Sequence, residues 1–321
     1  MKLSFQKVLL TLALTAGISM LTFAQSVDEA GQALNKAIEL KKAEKFEDAA
    51  IAFEQALDIA DMAGPDAFNI KSTAEKQIPV MYFKAAAEAY KAKDYVDAAD
   101  KFKIASEMAE KYDNQSLAEK AGRNVPALYN SIANSYRKRK DFDKALNYFD
   151  QAIEFKNDYA KAYLGKLLVY RDMGDDDKMI AMADKINELD ADRESKNSAN
   201  GIIQTFYLKK AKTAIDGKRN SEALNHMKSY MEYGEPDAQG YYVAALVYNA
   251  NKQFAKAQEA ASNGLNASPD NDLMANLYFE LGNAYKGQNN KSDACTAYSN
   301  ALGGPNGEAA KFQMEEVLEC N

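Results

Sequence analysis

One pattern of apolar and small residues recurs along this chain. Its clearest copy reads Tyr136, Phe142, Ala145, Phe149, Ala152. Tyr285, Lys291, Ala294, Tyr298, Ala301 repeat it at identical spacing, as do Tyr248, Phe254, Ala257, Ala261, Gly264. The pattern predicts a pair of helices. An aromatic sits on the first helix and a small residue where the two cross, followed by an aromatic and another small residue on the second. The second-helix half also occurs at Phe46-Ala49-Phe53-Ala56, Tyr95-Ala98-Phe102-Ala105, Met179-Ala183-Ile186 and Ala223-Met227-Tyr230. From Ala49 through Ala98, Ala145, Met179, Ala223 and Ala257 to Ala294, the first small positions step by 49, 47, 34, 44, 34 and 37 residues. Such a unit cannot bury its apolar face alone, so copies must stack.

Between Gln32 and Leu302 this pattern resembles the tetratricopeptide repeat family, whose standard repeat matches two of the steps. The resemblance implies an all-α fold: a right-handed superhelical solenoid of antiparallel helix pairs with an exposed inner face that holds other molecules. The chain departs from the family in having no Trp, in keeping the first-helix Leu-Gly pair only as Leu281-Gly282, and in placing Met179 at a small position. The longer early steps carry a shared insertion, Ala74-Glu75-Lys76 with Ile78-Pro79 and Tyr82, echoed by Ala118-Glu119-Lys120 with Val125-Pro126 and Tyr129. Lengthened helices are therefore expected in the N-terminal half, each proline kinking or restarting its helix. Polar residues 190–198 predict a loop or bend, which puts a boundary near 195. The expected organisation is a leader over 1–24, an array over 25–195, a second array over 196–304, and a capping helix within 305–321, about Glu308 to Glu319.

Lys2 and Lys7, the apolar run Val8 to Phe23 and the triplet Thr22-Phe23-Ala24 read as a cleaved secretory signal, with an uncleaved anchor as the rival reading. Cleavage would take the formal charge from −7 to −9 by removing the two lysines. That acidity argues against a general grip on nucleic acid. The expected location is periplasmic or secreted, in a bacterial cell envelope. Cys295 and Cys320, the only cysteines, are expected to form a disulfide in an oxidising compartment. Two free thiols or a redox pair are the alternatives.

Chemistry is sparse. A lone His226 with two distant cysteines does not make a typical zinc site, and neither a phosphate loop nor a nucleophile elbow occurs. Asp175-Asp176-Asp177 reads as a helix cap or, less simply, as a cation loop. No enzyme activity and no cofactor or metal is expected. Positions one turn from the buried ones put Asn130, Asn134, Arg137 and Lys138 on one surface with Lys161, Leu164, Leu168 and Arg171. Asn and Arg side chains bond a peptide backbone or carboxylate without demanding a sequence. A variant of the family clamps a C-terminal carboxylate with Lys and Asn at set inward positions. Asn134 occupies one such place, Asn130 stands where Lys is expected, and Gly165 replaces another polar contact. The expected function is a non-catalytic scaffold with a protein or peptide partner in the groove. The alternative is a module presenting a cell-wall or sugar fragment under the long helices, near Phe68, Tyr82, Phe83, Tyr90 and Tyr129.

Overall fold

The computed structural model describes residues 26–320, and the expected leader lies outside them. Helices follow one another along the described residues without a strand. In order they are α1 (26–42), α2 (Phe46–Ala63), α3 (Phe68–Lys91), α4 (Tyr95–Lys111), α5 (Gln115–Gly122), α6 (Asn124–Lys138), α7 (Phe142–Phe155), α8 (Ala160–Met173) and α9 (Asp176–Glu188). They continue with α10 (Arg193–Asp216), α11 (Asn220–Glu232), α12 (Ala238–Ala250), α13 (Phe254–Asn266), α14 (Asn271–Gly287), α15 (Lys291–Ala301) and α16 (Gly307–Phe312). The chain divides into two compact units, Met1–Met182 and Ala183–Asn321, with the dividing point inside α9.

The turn within each helix pair explains the recurring spacing. Lys93, Lys140, Lys252 and Asn289 take left-handed conformations at φ 66°, 62°, 57° and 61°. The amide that follows each one reaches back five residues: Asp94 to the Ala89 carbonyl (3.0 Å), Asp141 to Tyr136 (3.0 Å), Gln253 to Tyr248 (2.9 Å) and Asn290 to Tyr285 (2.9 Å). This closes the last turn of the first helix. The Asp94, Asp141 and Asn290 side chains then accept the amides of Asp97, Lys144 and Asp293 and start the second helix. One residue thus ends one helix and caps the next, so the loop has a fixed length.

That fixed length sets the crossing. Ala49, Ala98, Ala145, Ala223, Ala257 and Ala294 are fully buried, and Met179 is 1% exposed. The first-helix tyrosines Tyr136, Tyr170 and Tyr248 are half-buried, and a lysine from the partner helix lies over each ring. Lys144 is 5.3 Å from the Tyr136 centroid, Lys178 5.4 Å from Tyr170 and Lys256 5.8 Å from Tyr248.

In the first unit the core runs from Ala37 and Phe53 through Ile78, Met81, Phe102 and Val125 to Phe149 and Val169. The helices α2, α3 and α4 span 18, 24 and 17 residues against 14 each for α7 and α8. The two insertions behave differently. Helix α3 continues through Pro79, whereas α5 and α6 are separated at Arg123, three residues before Pro126. Four residues before each proline, where its missing N–H leaves a carbonyl unbonded, stand Glu75 in the first copy and Gly122 in the second. Glycine is the poorer helix former, and there the helix breaks.

The second unit holds its own core around Ala214, Met227, Tyr230, Val247 and Ala261. The loop expected over 190–198 is shorter than foreseen, because Arg193 to Ser198 open α10 and the expected boundary near 195 falls within that helix. Asp192 caps it, accepting the Ser195 amide and hydroxyl, both at 2.8 Å, so residues of capping type begin a helix here. The expected terminal helix runs as α16 and, without a break, a π-helical turn over Gln313–Val317. That turn brings Met314 and Leu318 onto Ala294, Tyr298 and Ala301. Cys320 is disulfide-bonded to Cys295, with the Cα atoms 5.8 Å apart.

Candidate functional site

Helices α6 and α8 pack side by side in the first unit and carry the residues expected to meet a partner. Two of those residues share one counter-ion. Arg137 donates from Nη1 to Asp172 Oδ2 at 2.7 Å, and Arg171 donates from Nη2 to Asp172 Oδ1 at 3.0 Å. Two guanidinium groups on one carboxylate leave an excess positive charge at the end of the two helices. Asp172 was missed in the sequence, although it directly follows Arg171. Asn134 lies one turn from Asn130 and donates to its carbonyl at 2.8 Å.

Asn130 Oδ1 and Arg137 Nε are both buried without a hydrogen-bond partner. An unsatisfied buried group costs on the order of 1–3 kcal/mol. One is an acceptor and the other a donor, and they stand two turns apart on α6, about 10 Å along its axis. Lys138 and Lys161 are exposed. Lys138 adjoins Arg137, while Lys161 begins α8 at the opposite end from the arginine pair. Leu164 and Leu168 are half-buried along α8.

Gly165 stands where the clamp variant would place a polar side chain, and the structure gives the reason. A Cβ at Gly165 would run into the ring of Phe149. Packing between α7 and α8 has claimed this position. The aromatic residues of the alternative reading are dispersed. Tyr129 is buried, with its hydroxyl donating to Asp100 at 2.9 Å, and Tyr82 is buried with its hydroxyl on Glu54 at 3.1 Å. Phe83 meets Phe102 edge-on and Tyr90 meets Tyr95 likewise, while Phe68 is exposed.

Asp175 caps α9 through the Lys178 amide (3.2 Å) and pairs with the Lys178 ammonium (2.9 Å). Those bonds hold its carboxyl below the ordinary carboxylate value. Among the described residues no group of three or more His, Cys, Asp or Glu side chains is placed to hold a metal. His226 lies 3.5 Å from Glu222. No helix among them is long and apolar enough to cross a membrane.

A second polar cluster, missed in the sequence, lies in the second unit. Glu280 is 3% exposed. Asn249 Nδ2 donates to its carboxylate at 2.8 Å and to its carbonyl at 2.9 Å, and Asn283 donates to the carboxylate at 3.3 Å. The Tyr298 hydroxyl donates to Asn283 Oδ1 at 2.8 Å. Burial raises the Glu280 carboxyl above its ordinary value, and the Asn249 and Asn283 bonds oppose that rise.

These features define a class: antiparallel helix hairpins whose first helices touch, α6 with α8 in one unit and α12 with α10 and α14 in the other. Residues 126–159, spanning most of α6 and all of α7, match the family described as Tetratricopeptide repeat. No curated protein matches the chain. Among solved structures it is similar to the TPR2AB domain of yeast Sti1 in complex with pHSP90, at 14% identity over 91% of this chain and 96% of that one, with a TM-score of 0.33. It is similar also to a tetratricopeptide repeat protein from Parabacteroides merdae, at 16% identity over 92% and 100%, with a TM-score of 0.30. A third, MamA from Desulfovibrio magneticus, is 18% identical over 58% and 96%, with a TM-score of 0.34.

Proposed function

We propose that this protein is a non-catalytic scaffold of the bacterial cell envelope and that the α6–α8 face holds an extended segment of a protein partner. The observation that carries the reading is the pair of arginines, Arg137 and Arg171, that share the single carboxylate of Asp172 on this face. The site is mostly preformed and little ordering is needed on binding. The excess charge at Arg137, Arg171 and Asp172 favours an acidic side chain or a chain terminus beside that segment. Export is supported by the leader-like residues Lys2 to Ala24, and the Cys295–Cys320 disulfide fits an oxidising compartment.

Reversing both arginines, Arg137→Glu with Arg171→Glu, tests the face. The expected result is at least about a tenfold loss of partner recovery from envelope extract, the equivalent of one charge-assisted hydrogen bond. Unchanged recovery, with the helical circular dichroism intact, removes this face from consideration.

A further inference from the structure

The break between α5 and α6 does more than shorten a helix. It opens a cleft of about 590 Å³ between α4, the break itself and the end of α7. Gly122 lies on its wall, where a Cβ would stand 3.0 Å from the Ser106 hydroxyl and 3.6 Å from the Phe155 ring. The cleft lies at the far end of α6 from Arg137: Pro126, in its lining, is about three turns away.

Its chemistry is two-signed. Helix α4 contributes Glu107 and Glu110, one turn apart and both exposed. The break contributes Arg123, which donates from Nε to the Glu119 carbonyl at 3.3 Å, leaving its terminal nitrogens for a ligand. The end of α7 contributes Lys156, whose ammonium is a loose 3.8 Å from Asp158. The rings of Phe155 and Tyr159 also line it. Tyr159 is half-buried, its hydroxyl forms no hydrogen bond with the described residues, and burial raises it above its ordinary value.

This composition discriminates among ligands. Three carboxylates, Glu107, Glu110 and Glu119, against two cations disfavour a polyanion such as nucleic acid. Both signs of charge with two rings in one lining instead match a molecule with an ammonium at one end, a carboxylate at the other and an apolar body. A smaller cleft of about 290 Å³ shares Glu107 and Phe155 in its lining and adds Tyr129. We propose that this cleft is a second binding site, which takes a short peptide by both of its free ends. Glu107 and Glu110 receive the ammonium, Arg123 and Lys156 receive the carboxylate, and an apolar side chain rests on Phe155 and Tyr159.

The test is calorimetric titration of the full chain with the tripeptide Phe-Ala-Ala, its N-acetylated and C-amidated forms, and maltotriose. The free tripeptide is expected to bind saturably, and blocking either end to weaken binding about tenfold or more, as for loss of a charged hydrogen bond. Arg123→Gln should weaken binding of the free tripeptide while leaving the amidated form nearly unaffected. Absence of tripeptide binding, equal binding of free and blocked forms, or binding of maltotriose in place of the tripeptide would each overturn the assignment. The ligand comparison uses the unmodified protein, so the test stands even if the Arg123 variant misfolds.

Discussion

The two units bury polar groups in opposite ways. In the first, the buried tyrosines Tyr82 and Tyr129 send their hydroxyls outward to Glu54 and Asp100, and those carboxylates keep contact with water. In the second, the carboxyl itself is buried: Glu280 lies in the core and Asn249, Asn283 and Tyr298 are arranged around it. The second unit also carries the only disulfide. The same repeating turn therefore supports two kinds of interior. One is closed by packing, and the other is tied by a covalent bond and holds one buried carboxyl.

The largest expected effect tests the covalent difference. Breaking the Cys295–Cys320 bond by Cys295→Ser with Cys320→Ser should destabilise the second unit by about 3 kcal/mol, as expected for a loop of this length. Denaturant unfolding followed by hydrogen exchange should show that loss around α14–α16 while protection in α2–α4 is unchanged. Equal losses in both units would refute the division.

Next come the crossings, which the comparison treats as alike. Ala145→Leu in the first unit and Ala294→Leu in the second should each cost about 1 to 3 kcal/mol, because both positions are fully buried where backbones approach. A melting temperature unmoved by either change would contradict the register of the helix pairs.

The smallest effect is the most specific. The folded carboxyl of Glu280 titrates above its ordinary value. Its contribution is fully present below the unfolded carboxylate range and is lost as pH rises through the folded value, because the unfolded chain releases its proton first. Glu280→Gln keeps an acceptor for Asn249 and has no proton to lose. Its stability relative to the unmodified protein should therefore rise with pH across that window and then level off, as measured by urea unfolding at a series of pH values from about 4 to 8. Curves that stay parallel would show that the Glu280 carboxyl titrates alike in the folded and unfolded chain, against the raised value.

Most of the fold was legible in the sequence because a turn of fixed length dictates it. The closing bond from Asp141 to Tyr136 and the cap from Asp141 to Lys144 set where Ala145 must fall, so spacing alone located the crossings. The candidate face was legible as a set of positions, but its wiring was not. Asn130 and Arg137 could be placed on α6, whereas their unpaired atoms and the sharing of Asp172 depend on how α8 lies alongside. Gly165 looked like a missing contact and proved to be room for Phe149. Glu280 stayed hidden because a charged residue reads as surface until asparagines from two helices are seen around it. The terminal helix was legible, but the π-helical turn that ends it and carries Leu318 back to the core leaves no local signature.

The central claim is that a partner lies along α6 and α8, and site-specific photocrosslinking tests it most directly. A photoreactive residue replacing exposed Lys138, beside Arg137, is compared with one replacing exposed Lys228 on α11. Protein adducts are expected from position 138, absent from position 228, that disappear when Arg137 and Arg171 are reversed to Glu. Adducts of equal yield from both positions, or adducts at 138 that survive the reversal, would contradict it.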